Sequence, residues 1–314
     1  MENRLSIIVG WAAFIIAFIV YYLTLEPTIS FWDCSEFITC ATKLEVGHAP
    51  GAPLFMLMGR IFSLFAGGDV SGVAYAVNML SAVASAFTIM FLFWTIEWFG
   101  KKLQIRLENN SKINSTHILA GAFIGALCFA FTDTFWFSAV EGEVYATSSF
   151  FNAIVFWAIL KWESRANDKF GDKWILLIFF LMGLSVGVHL LNLLAIPAIV
   201  LVYYFKRYNV NTKGTIKALL FSFVILVFLV FIFIPWFVRL AAYFDLLFVN
   251  QFNLPFYSGV LFYLFFAATS LILLLRYSVK HKKQLLHTIV LSLTVFLIGY
   301  SSYASLVIRS ISNP

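Results

Sequence analysis

Residues 5–25 read LSIIVGWAAFIIAFIVYYLTL, with no Asp, Glu, Lys, Arg or His among them. An α-helix needs about 20 apolar residues to cross the roughly 30 Å hydrocarbon core of a bilayer, and this run supplies them. A single basic residue, Arg4, stands close before it and no small-residue cleavage site follows, so it reads as a retained helix and not a removed signal peptide. Eight further stretches have the same character: Val73–Phe99, His117–Thr132, Val144–Trp162, Trp174–Val188, Leu190–Phe205, Ile216–Trp236, Tyr257–Arg276 and Leu286–Ile308. Hydrophobic residues make up 62% of the 314 and charged residues 11%, against roughly 25% charged in soluble domains. The chain is predicted to be an all-α integral membrane protein with about nine transmembrane helices.

Placing the N-terminus in the cytoplasm puts Met1–Arg4, Lys101–Lys112, Lys161–Lys173, Lys206–Lys217 and Arg276–Lys283 on that side. These segments carry 17 of the 21 Lys and Arg residues, leaving Lys43, Arg60, Arg239 and Arg309 for the other side. Such a bias sets orientation in membrane proteins. The net charge of +6 is therefore a topological signal and not a nucleic-acid surface. Acidic residues run the opposite way: Glu26, Asp33, Glu36, Glu45, Asp69, Asp133, Glu141, Glu143 and Asp245 all fall outside.

The 314 residues read as one domain without an internal repeat. Residues 26–70 form a long and largely apolar first outer loop. Within it Phe31–Glu45 and Pro53–Phe65 show helical spacing, so two short interfacial helices are expected, with Ala49–Pro53 as the turn between them. Arg309–Pro314 emerges on the outer side, where a soluble C-terminal region is expected to follow in a longer protein. Cys34, Cys40 and Cys128 are too few for a disulfide framework and read as small apolar fillers.

Polar chemistry concentrates in a few outer segments. Phe31-Trp-Asp-Cys-Ser-Glu-Phe37 places Asp33 and Glu36 three apart, on one face of a helix, with Cys40 on the same stripe. The pair could act as an oriented base or help to hold a divalent cation; the alternative is a helix cap with solvated acids. His48 precedes the rigid Ala-Pro-Gly-Ala-Pro turn and could bind a phosphate, hydrogen-bond a sugar, or cap the next helix. Glu141 and Glu143, with Tyr145 following, stand at the outer start of the fourth span, as caps or as a second acidic contribution. His189 and Asn192 share a face near the outer surface, suited to a site or to interhelical hydrogen bonds. Arg239, with Arg60 and Lys43 as competitors, suits a lipid phosphate or ordinary headgroups. No Walker loop, dinucleotide fingerprint, zinc-binding His-Glu-x-x-His or CxxC pair occurs.

These motifs carry a resemblance. The acidic Phe31–Phe37 loop, Gly47-His-Ala-Pro-Gly-Ala-Pro-Leu-Phe55, Ala139-Val-Glu-Gly-Glu-Val-Tyr145 and His189-Leu-Leu-Asn192 resemble a bacterial multispanning family of unknown function. Its animal relatives are protein O-mannosyltransferases acting on IPT domains, and all resemble GT-C glycosyltransferases. The resemblance implies a GT-C-like fold and transfer of a sugar, mannose first, from a polyprenyl-phosphate donor to Ser or Thr of an extracytoplasmic acceptor protein. It also implies a multi-pass place in a bacterial inner membrane with the site on the periplasmic face. Asp33 would be the catalytic base, with Glu36 in its motif and Glu141 or Glu143 as the second-loop acid. No cofactor is required by this scheme, although a divalent cation could be held. Transfer to a lipid or glycan, and a transporter or flippase, are the rival readings.

Overall fold

The computed structural model describes residues 4–107 and 114–312. The rest of the Lys101–Lys112 connection, Met1 and Pro314 lie outside the described residues. Among those described the secondary structure is helical with no strand, as an apolar environment that leaves backbone groups no water to bond requires. In chain order come α1 (Arg4–Leu23), α2 (Cys34–Lys43), α3 (Pro53–Ser63), α4 (Val73–Arg106), α5 (Ser115–Ala130), α6 (Asp133–Val140) and α7 (Val144–Arg165). Then follow α8 (Lys173–Val186), α9 (Ile196–Arg207), α10 (Thr212–Val227), α11 (Ile234–Phe252), α12 (Ser258–Lys280), α13 (Gln284–Tyr300) and α14 (Ala304–Ser312).

Seven of the described helices are long and apolar enough to cross a membrane, or eight if α5 and α6, bent by 67° to one another, form one span. The expected stretch Trp174–Val188 forms the 14-residue α8, about 21 Å at 1.5 Å per residue and short of a bilayer core. Pro197 occupies the first turn of α9, where its missing N–H costs nothing. The expected span Ile216–Trp236 runs on. A π-helical turn at Phe228–Phe233 precedes Pro235, and the chain stays helical from Thr212 to Phe252. The wide turn accommodates the proline ring and its absent donor without ending the helix.

The central helix is α4. Its buried face carries Ala76, Ser81, Ala82, Ala84, Ser85 and Ala86, and such small side chains let neighbouring helices approach closely. It packs against α1, α5 and α7. α8 and α13 meet through glycines: a Cβ on Gly183 would strike the Phe296 carbonyl, and one on Gly299 would lie 2.5 Å from the Phe180 carbonyl oxygen. Side chains there would push the pair apart.

The two ends of the bundle differ chemically. At one end Glu26 N–H donates to the Val140 carbonyl (3.1 Å), Leu54 N–H to that of Gly187 (2.8 Å) and the Tyr303 hydroxyl to that of Val186 (3.2 Å). This end gathers α2, α3, the α6–α7 junction and α14. At the other, Lys102 and Lys206 reach Glu163 at 2.9 and 3.6 Å, and Arg207 bonds the Ala166 carbonyl at 2.9 Å. The charge segregation predicted from the connections is thus present in three dimensions.

Candidate active site at the acidic end

The two expected interfacial helices form at Cys34–Lys43 and Pro53–Ser63. Asp33 stands at the N-cap of α2 but outside the helix proper, and its carboxylate makes no capping hydrogen bond. A cap role does not consume it. Glu36 lies in the first turn and reaches across to the following loop. Its Oε1 accepts the His48 backbone N–H at 2.6 Å, and its Oε2 lies 3.0 Å from His48 Nδ1. His48 Nε2 is 3.9 Å from Asp33 Oδ2, and its ring packs against Phe37 with centroids 5.8 Å apart. One imidazole therefore bridges both carboxylates. Glu36 raises the His48 pKa, and the His48 N–H and ring lower that of Glu36. Both effects are those of an ion pair formed in part-exposed surroundings.

Behind this pair lie two buried acids on the α6–α7 junction. Glu143 is 3% exposed, and burial pushes its carboxyl up to about 7, with the charges of Glu141 and Asp33 adding to the rise. The Val144 N–H, 3.3 Å away, and the Asp33 backbone pull in the opposite direction. Glu141 is raised by burial and by the charge of Glu26, with the Ser30 hydroxyl opposing. One Glu141 carboxylate oxygen is buried without a partner. Carboxylates pushed apart in pKa within one cluster are a pattern of acid–base sites.

The other candidate residues lie on further elements. The Tyr145 and His189 rings lie 5.7 Å apart between centroids, tilted by 46°, and burial lowers the His189 pKa. His189 Nδ1 accepts the Leu191 N–H at 3.2 Å, so it caps the short helical turn Leu190–Ala195. Asn192 Oδ1 accepts from Ser148 (2.6 Å) and Asn152 (2.9 Å), and its amide donates to the Ser185 carbonyl at 3.3 Å. These bonds tie the 190–195 turn to α7 and α8. Arg60 donates to the Thr42 carbonyl at 2.6 Å, tying α3 to the end of α2. Arg239 sits on α11 with its guanidinium 6.0 Å from the Trp236 ring, and no hydrogen bond or ion pair links it to the acidic cluster. Residues 237–252 are continuous helix within α11.

Two supports escaped the sequence reading. Asn78 of α4 donates to the Glu26 and Thr28 carbonyls at 2.7 and 2.9 Å and so pins the start of the first loop. An amide within an apolar span was the available signal. Arg309 of α14 donates to the Leu44 and Lys43 carbonyls at 2.6 and 3.2 Å, clipping the C-terminal helix to α2.

Asp33, Glu36 and His48 each offer a ligand atom, all within 4.8 Å of one another. Two carboxylates and an imidazole form a donor set that a divalent cation accepts.

Fold and site define the class: a multi-pass, all-α membrane protein with a carboxylate-rich site at one end. Residues 33–212, more than half of the chain, match the family described as the N-terminal domain of protein O-mannosyl-transferase TMEM260, and the chain belongs to that family. It is 29% identical over 167 residues to protein O-mannosyl-transferase TMEM260 of Mus musculus, covering 53% of this chain and 21% of that protein. Identity to protein O-mannosyl-transferase tmem260 of Dictyostelium discoideum is 26% over 148 residues, 45% of this chain and 15% of that protein. The matches thus span about a fifth or less of these relatives' length. No solved structure matches the chain. The matched segment begins at Asp33 and contains every candidate site residue except Arg239.

Proposed function

We propose that this chain is the membrane module of a protein O-mannosyltransferase that works at its acidic end. The observation that carries the reading is the free carboxylate of Asp33, uncapped and bridged through His48 to Glu36. Family membership supplies the reaction class, and the donor, stereochemistry and roles below are our assignment.

A polyprenyl-phosphate mannose would lie with its tail among the helices and its sugar beside Asp33. Asp33 takes the proton from an acceptor Ser or Thr hydroxyl as that oxygen attacks the anomeric carbon. The bond from the anomeric carbon to the phosphate oxygen breaks, polyprenyl phosphate leaves, and the anomeric centre inverts. The leaving phosphate needs charge stabilisation more than a proton. Among the described residues His48 is the cationic group within 4 Å of Asp33. Its bond to Glu36 keeps it protonated to higher pH, so it suits that task. Arg60, Arg239 and Lys43 are the other candidates for the phosphate. Glu143, held neutral up to about pH 7, can donate a hydrogen bond to a sugar hydroxyl. Glu141, Tyr145, His189 and Asn192 shape the wall against which the sugar would rest. The scheme runs without a metal, so EDTA is expected to leave transfer intact; loss of transfer restored by a divalent cation would assign one to Asp33, Glu36 and His48.

The acidic end faces the non-cytoplasmic side in this proposal, because the Lys- and Arg-rich connections lie at the other end. The bacterial inner membrane remains the location expected from the sequence resemblance; both relatives described above are eukaryotic.

The test is mass spectrometry of extracytoplasmic proteins from cells with and without the gene, complemented by wild type or Asp33→Asn. A hexose on Ser or Thr that only wild type restores is the expected result. Unchanged glycoproteins would overturn protein O-mannosylation and point to lipid or glycan acceptors, or to transport.

A further inference from the structure

The second chemically distinct place in the molecule is a cavity at the basic end, between α8, α9, α10 and α13, of about 790 Å³. That volume falls within the range of small-molecule sites, roughly 300–1,000 Å³. Its depth is apolar, with Met182, Leu229 and Phe296 among the lining residues. Its polar rim includes Tyr204, Tyr208 and Lys217.

Charge at the mouth distinguishes this cavity from ordinary lipid-facing surface. The end of α9 and the start of α10 carry four basic residues, and two are engaged: Lys206 with Glu163 at 3.6 Å, and Arg207 with the Ala166 carbonyl at 2.9 Å. Lys213 and Lys217 are exposed and form no ion pair among the described residues. On the opposite side Lys282 and Lys283 directly precede α13, whose Leu285 also lines the cavity. No carboxylate lines it. An occupant must therefore be apolar along its length and negative at one end.

We infer that the cavity binds one anionic glycerophospholipid from the leaflet at the basic end, its acyl chains among α8, α10 and α13 and its phosphate at Lys213 and Lys217. A zwitterionic lipid offers the same chains without net attraction to the rim. A polyprenyl-phosphate donor needs its phosphate at the opposite end, beside Asp33, so the cavity is not its headgroup site. The inference goes beyond the proposed reaction and rests on it only in excluding the donor.

The test is native mass spectrometry of the full chain, purified in mild detergent and titrated with palmitoyl-oleoyl phosphatidylglycerol or the phosphatidylcholine of the same chains. One phosphatidylglycerol is expected to be retained in preference to phosphatidylcholine. A lysine near a membrane surface contributes about 1 kcal/mol toward an anionic lipid. The double substitution Lys213→Gln, Lys217→Gln should thus weaken retention about thirty-fold. Ile289→Trp, at a half-exposed lining position, should weaken it by crowding the acyl chains. Equal retention of both lipids, indifference to the lysine substitutions, or retention undiminished by Ile289→Trp would each overturn the inference. So would displacement of phosphatidylglycerol by equimolar polyprenyl phosphate.

Discussion

Glu143 offers a quantitative handle on the buried half of the site. It is 3% exposed, and burial lifts its carboxyl from 4.5 to about 7. Below pH 4.5 the group is neutral whether the chain is folded or unfolded, and it costs nothing. Above that the unfolded chain releases the proton while the folded one keeps it, so stability falls as pH rises toward 7 and levels off beyond. A displacement of this size, at about 1.4 kcal/mol for each pH unit, corresponds to a cost of up to about 3 kcal/mol at pH 8. Glu143→Gln keeps the shape and an oxygen to accept the Val144 N–H but cannot ionise. The variant should melt with wild type near pH 4.5 and above it at pH 8, by on the order of 5 °C. Thermal unfolding of the detergent-purified protein, followed by tryptophan fluorescence across this range, measures the difference. A gap that fails to widen with pH, or a variant less stable than wild type at pH 8, would refute the assignment of Glu143 as a carboxyl kept neutral by burial.

Two packing predictions accompany it. Gly142 separates the buried acids, and a Cβ there would lie 2.8 Å from Asn78 Oδ1 and 3.0 Å from Ile38 Cγ1. Gly142→Ala should therefore cost about 1–3 kcal/mol by overpacking, read as a lower melting temperature. Asn192→Ala strips Ser148 and Asn152 of their shared acceptor and should cost about 1–3 kcal/mol through unsatisfied buried groups. Asn192→Asp keeps an acceptor and should recover more than half of that loss in the same melting assay.

What the sequence revealed and what it hid follow from the range of the interactions. Runs such as residues 5–25 need only their own composition to announce a membrane helix, and the Lys and Arg connections announce the two ends. The Asp33–Glu36–His48 constellation was legible because it lies within sixteen residues and one loop. The closeness of Glu143 to Asp33 was not, since it depends on how the α6–α7 junction docks behind α2. The run of helix past Pro235 to Phe252 was equally hidden, because the π turn that accommodates the proline exists only in the folded backbone. The bond of Arg60 to the Thr42 carbonyl could likewise be seen only once α3 was laid against α2.

The central claim is that Asp33 takes the acceptor proton. Its most direct test uses purified wild type and Asp33→Asn with polyprenyl-phosphate mannose and a Ser- or Thr-containing acceptor domain, reading the acceptor's mass. Wild type should add one hexose. Asp33→Asn, at an unchanged melting temperature, should add none above background. An Asp33→Asn protein that transfers at the wild-type rate would contradict the account.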